Sequence, residues 1–194
     1  MSMDFNDAES NNGFDIIPIN TVAPMIMTIR PGRAGDGGWE TKSNTSDVTY
    51  LNCEFVVTGG KYRNRKFWQN MVVSGGKTDE NGNSKAGNIT RSTLRGILES
   101  ARKINPDDMS QEAKTKRIVQ GYGDFSGIEF VGKIGIEKGT GGYDDKNKLL
   151  APVPVSSPLY ACEDNGAKAF GNVAAGVTNQ AAAKASSGAP AWAQ

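Results

Sequence analysis

The chain contains no histidine and only two cysteines, Cys53 and Cys162, in 194 residues. A Cys/His zinc site and imidazole acid–base chemistry are therefore excluded. The cysteines have no metal-ligand spacing. Cys53 reads as a small buried hydrophobe in a strand. No apolar run approaches the length of about 18 residues that a membrane-spanning helix needs. The opening MSMDFNDAESNNG is acidic and polar rather than a secretory signal, so a soluble intracellular protein is expected. Phosphate-loop and nucleophile-elbow motifs are also missing. GRAGDGG (Gly32–Gly38) has neither the strand–glycine–helix setting nor the closing Lys-Ser/Thr pair, and Ser74–Gly76 is only a loop. The acidic pairs Asp107-Asp108 and Asp144-Asp145 fall in loops, where solvation explains them. A metal-dependent nuclease would need carboxylates converging from several elements. No catalysis, cofactor or metal is expected.

Large apolar residues are sparse too, with 37% hydrophobic residues against 24 glycines. One domain with a core is expected, together with substantial loop or tail. The net charge of +1 says nothing about partners, but its distribution does. Residues 1–60 carry three basic and eight acidic side chains, residues 61–103 carry ten and three, and residues 104–194 carry nine and ten. A local positive field steers anionic ligands.

That field centres on the stretch Thr49–Gly76. Leu51, Cys53, Phe55 and Val57 alternate with Tyr50, Asn52 and Glu54, with Val56 the exception, which is the period of a half-buried strand. A second strand follows Gly59-Gly60, with Phe67, Met71 and Val73 inward and Lys66, Trp68 and Asn70 outward. Gln69 is an imperfection on its inner face. The turn KYRNRK puts four cations into six residues.

In chain order, residues 1–20 read as an irregular arm in which Phe5 or Phe14 docks on the body. A strand is expected at 22–30, with Pro24 placing it at a strand start or an edge. Trp39 stands alone in a polar loop, either packed back on the core or part of a binding surface. The hairpin strands are expected at 50–58 and 65–73, and Ser74–Asn88 as a mobile connector. Leu94, Ile97, Leu98 and Ala101 predict a helix over 90–103, with Arg91, Arg95 and Arg102 on its surface. Asn105-Pro106 stops it, and a weaker helix is expected near 106–119. Strands follow at 128–137, where Gly132 marks a bulge or a close approach, and at 148–155. From about 161 onward Ala, Gly, Asn and Ser dominate, so 161–194 reads as a flexible tail. Within that tail, Phe170 and Trp192 are either partner contacts or incidental aromatics. Residues 21–160 form the domain.

A binder of single-stranded nucleic acid needs cations for phosphates and exposed aromatics for bases. Lys61, Tyr62, Arg63, Arg65, Lys66 and Trp68 supply that combination. Lys77 in the connector and Lys133 on the sheet surface extend it. The competing readings are a solvated basic turn and, if the register slips by one residue, a buried Trp68.

Several segments taken in order resemble a known family. They are MDFNDAE (Met3–Glu9), YLNCEFVVTGGKYRNRKFWQNMVV (Tyr50–Val73), TLRGILESA (Thr93–Ala101), FSGIEFVGKIGIEKG (Phe125–Gly139) and the asparagine-containing loop before LLAPV. Together they resemble the phage-encoded domain-of-unknown-function 669 family over about residues 3–155. The resemblance implies single-stranded DNA binding in phage replication or recombination, in the cytoplasm of the infected bacterial host. It also implies an oligonucleotide-binding fold. Composition and periodicity alone give a mostly β chain with one clear helix. With the resemblance and the strand–helix order, the expected fold is a small five-stranded barrel with its helix between strands three and four. The alternatives are a protein-interaction or annealing accessory module and, last, a metal-dependent nuclease. The expected partners are single-stranded DNA and replication or recombination proteins reached through the tail. The sequence leaves the oligomeric state open. The tail lacks the acidic end common among single-stranded DNA-binding proteins.

Overall fold

Alternating side chains build the sheet, and a capped amphipathic helix covers part of it. A computed structural model describes residues 15–160 together with Asp4, Asn6 and Asp7. Strands β1 (Val22–Arg30), β2 (Thr41–Lys42), β3 (Thr49–Val57) and β4 (Lys66–Ser74) precede helices α1 (Lys85–Ala101) and α2 (Gln111–Lys116). Strands β5 (Ile128–Glu137) and β6 (Lys146–Pro152) follow. All pairings are antiparallel. The path across the sheet is β4–β3–β1–β5–β6, and the short β2 pairs with the start of β3.

The core lies on one face of this sheet. Leu51, Cys53, Phe55 and Val57 are fully buried, as their period-two spacing requires. Phe55 stacks on Phe67 with ring centroids 5.1 Å apart and meets Phe130 edge-on at 6.2 Å. Such ring pairs add specific geometry to burial. Helix α1 packs against β4, β5 and β6 through Leu94, Ile97 and Leu98. The buried Ser100 hydroxyl fixes the end of α1 to β5 by accepting the Val131 N–H at 3.1 Å.

The barrel expectation is corrected. This is a mixed α/β fold with a six-stranded sheet and a 17-residue helix, and the sheet is not closed into a barrel. Closure would require β4 and β6 to exchange backbone hydrogen bonds, and no such ladder joins them. Side chains bridge the seam instead. Gln69 on β4 accepts the Leu149 N–H of β6 at 2.9 Å. The residue that spoiled the inner face of β4 in the sequence is thus the polar tie between two sheet ends. Beside it, Asn147 of β6 binds both backbone groups of Ile17, accepting its N–H at 2.9 Å and donating to its carbonyl at 2.8 Å. The Arg65 guanidinium donates to the Asp15 carbonyl. The chain entering β1 is therefore strapped across the seam, and Ile17 is buried in the core.

Other differences have local causes. Helix α1 begins five residues before the expected position because Ser84 caps it, accepting the Gly87 N–H at 3.1 Å. The Asp79 carboxylate accepts the N–H groups of Asn81 and Asn83, both at 2.9 Å. The polar composition of the supposed connector therefore encodes a cap and a turn. Trp39 packs against the core, and a Cβ added at Gly123 would fall 3.0 Å from its ring. Gly132 combines both roles expected of it. The register shifts just after it, between Lys133 and Ile134, and a Cβ there would lie 2.9 Å from Met25 and from Leu149. Phe5, Phe14, Cys162 and the tail 161–194, with Phe170 and Trp192, lie outside the described residues.

Candidate nucleic-acid interface

The β3–β4 hairpin turns over residues 58–65. Asn64 adopts φ 67°, and its N–H reaches the Val57 carbonyl at 2.8 Å. Asparagine tolerates this left-handed backbone better than most residues. The turn holds Lys61 and Arg63 exposed at its tip. Tyr62 is half-buried against the core, and the Lys61 ammonium sits 5.5 Å from its ring centroid. Tyr62 thus anchors the turn and offers little ring face to a base.

Trp68 is different. It projects from the outer face of β4 and is 49% exposed. The pairing register explains its neighbours. Trp68 stands opposite Glu54 on β3, which stands opposite Thr28 on β1. Arg30 and Lys66 are diagonal neighbours of Glu54, within reach of long side chains. Glu54 therefore becomes a hub. Its Oε2 accepts Arg30 Nη2 at 2.6 Å and the Trp68 indole Nε1–H at 3.0 Å, while Oε1 accepts Lys66 Nζ at 3.1 Å. The Arg30 and Lys66 hydrogen bonds hold its carboxyl well below the usual 4.5, at about 2.

Between the sheet ends lies a groove of about 990 Å³. Arg63, Arg65, Lys66 and Trp68 line one side, and Lys146 and Lys148 the other, with Gln69 and Asn147 also in its lining. Its carboxylates are Glu137, which pairs with Lys146 at 3.1 Å, and Asp145, which pairs with Lys138 at 2.5 Å. The groove has five cations against two carboxylates. Arg63 and Lys148 have no ion pair among the described residues.

The structure therefore brings Arg63, Arg65, Lys66 and Trp68 together, with Lys61 at the adjoining tip. It does not bring Lys77 or Lys133 to them. Lys77 lies beyond the far end of β4, about 20 Å along the strand from Trp68. Lys133 pairs with Val22, about 20 Å along β1 from the Thr28 row. Sequence reasoning missed Arg30, Glu54, Lys146 and Lys148. The expected strand 148–155 leaves Lys146 in a loop and makes Lys148 a strand-end residue with no assigned role, whereas β6 begins at Lys146. The signal was present in the alternation of Lys146, buried Asn147 and Lys148 ahead of Leu149.

The helix arginines serve elsewhere. Arg95 and Arg117 both donate to the buried Glu99 carboxylate, at 2.8 and 2.7 Å. With Arg91 they edge a second cavity of about 420 Å³, which Val73, Leu94, Leu98, Val119 and Phe125 also line. Burial pushes the Cys53 thiol up to about 12, so it remains a neutral core group. Among the described residues no three Cys, Asp or Glu side chains gather to hold a metal ion. Among them, too, no helix is long and apolar enough to cross a membrane. No protein-family model matches the chain. A search of the curated proteins finds no match either.

Proposed function

We propose that the chain binds single-stranded DNA through the outer face of β4 and the seam groove, without sequence preference and without catalysis. One observation carries the reading: a half-exposed indole on the wall of a groove lined by an excess of cations. Stacking on a ring is sequence-tolerant because every base has a flat face, and cations along the groove would follow the phosphates. The open sheet removes the barrel as an argument, so the reading rests on this surface and on the family resemblance. That resemblance also supports a role in phage replication or recombination in the host cytoplasm.

The test is a fluorescence anisotropy titration of labelled oligothymidylate and of a duplex, each at two salt concentrations. The single strand should bind more tightly, and its affinity should fall as salt rises. Trp68→Ala should lose about 1–3 kcal/mol of binding, roughly 5- to 150-fold, while remaining folded. Unchanged binding by the folded variant would remove this surface from consideration. A second reading, a protein-interaction module, is favoured by the scarcity of exposed rings. Among the described residues only Trp68 and Tyr143 are large exposed aromatics. Salt-insensitive, weak binding of both nucleic acids would favour that reading.

A further inference from the structure

Glu54 sits at the centre of the proposed binding face, and its partners distinguish it from an ordinary surface carboxylate. Two cations and an indole N–H converge on it from β1 and β4. The Arg30 and Lys66 side chains are nevertheless 56% and 51% exposed. Neither makes another hydrogen bond or ion pair among the described residues. Glu54 itself is 14% exposed beneath them, but cations this open to solvent are screened and hold their partner weakly, so they exchange readily for another anion. A carboxylate offers two oxygens to these donors, as a phosphate diester offers its two non-bridging oxygens.

We propose that Glu54 is an internal stand-in for a nucleic-acid phosphate. It occupies a subsite formed by Arg30, Lys66 and the Trp68 indole N–H, and it sets the affinity by competing for that subsite. This rests on the reading of the outer face as a nucleic-acid surface. In the free protein Glu54 keeps the two cations and the indole in place. When a strand binds, a phosphate takes over Arg30 and Lys66, and the Glu54 carboxylate withdraws into solvent. The residue therefore limits binding while holding its partners in position. Removing its charge but keeping its acceptor should strengthen binding. Removing Arg30 should weaken it.

The experiment uses the full chain and E54Q, whose amide oxygen can still accept the indole N–H. Oligothymidylate affinity should rise about fivefold at low salt, the scale of a modest surface pair. The salt slope should stay close to that of wild type, because a phosphate takes the same two cations in both proteins and only the competition from Glu54 is removed. A second arm needs no nucleic acid. Inorganic pyrophosphate is titrated into nitrogen-15-labelled protein while the Trp68 indole and Arg30 Nε–H signals are followed. E54Q should respond at about one-tenth of the wild-type pyrophosphate concentration, an opposing charge pair or two being removed. Adding R30A to E54Q should abolish the response. Equal pyrophosphate responses in the two proteins, or an E54Q affinity for oligothymidylate no higher than that of wild type, would overturn the stand-in role even if wild type binds DNA well. A pyrophosphate response confined to E54Q would uphold the anion subsite, and if neither protein binds oligothymidylate the DNA reading alone would fall.

Discussion

Two carboxylates in this protein each bridge two cations, and they do different work. Glu54 lies on the outer face of β3 and Glu99 near the end of α1. The Glu99 side chain is 6% exposed, and its partner Arg117 is 14% exposed. Arg117 also donates to the carbonyls of Asn105, Pro106 and Asp108, at 3.0, 3.3 and 2.7 Å. Arg95 adds a bond to Pro106 at 3.4 Å. This cluster staples the irregular 105–108 segment to α1, and its donors are committed to the protein itself. The partners of Glu54 bond to nothing else among the described residues and face solvent. Charge alone does not mark a binding face. The distinction lies in whether the donors of a cation are already satisfied inside the fold.

The largest expected effect follows from that distinction. Glu99→Ala leaves a mostly buried guanidinium without its anion and should destabilise the fold by about 3–5 kcal/mol. Glu54 is itself 14% exposed, but Glu54→Ala leaves behind only half-exposed cations that water can solvate, and it should stay within about 1 kcal/mol of wild type. Urea denaturation of both variants checks the contrast. Equal losses would show that the two hubs do not differ in kind. A smaller structural effect is expected at the seam. Asn147→Ala strips both backbone groups of Ile17 of their partner in a buried setting, costing about 1–3 kcal/mol. Hydrogen exchange at the Ile17 amide should rise in that variant before exchange in the β3 core does.

Sequence reasoning reached further into the elements than into their assembly. Strands β1 and β5 were legible to the residue because their apolar runs end at clear breakers, Pro31-Gly32 and Lys138-Gly139. The inner face of β3 was legible because Leu51, Cys53, Phe55 and Val57 recur at period two despite the apolar Val56 on the other face, and the burial follows that period. Closure of the sheet was not legible. It depends on whether two distant strand edges meet, and here the Gln69 side chain bridges β4 to β6 where a backbone ladder would otherwise run, while Asn147 binds Ile17, an arrangement no local pattern encodes. In the candidate site, the cations and Trp68 on β3–β4 were visible as composition. Glu54 read merely as an outward residue, because its meaning comes from the register that sets Arg30, Lys66 and Trp68 around it. Lys77 and Lys133 show the converse: a basic residue on an exposed loop or strand carries no information about its distance from the rest.

The smallest expected effect sharpens the comparison through pH. The folded Glu54 carboxyl is held at about 2, against the usual 4.5. Between those values the unfolded chain binds the extra proton, so stability rises with pH across this window. The contribution is complete above the unfolded value and is lost as pH falls toward about 2. Its size should be below about 1 kcal/mol, since the partner cations are half-exposed and screened by water and salt. Other carboxyls are depressed as well. Asp79 is lowered by the Asn83 backbone N–H, Asp108 by the Ser110 backbone N–H and Asp145 by Lys138. Wild type alone therefore cannot isolate Glu54, but its difference from E54Q does. That difference, measured as urea midpoints at several values between pH 2 and 6, should shrink on acidification and flatten in high salt. A constant difference would mean that Glu54 acts by packing rather than by charge, and the exchange of its cations for phosphate would lose its electrostatic basis.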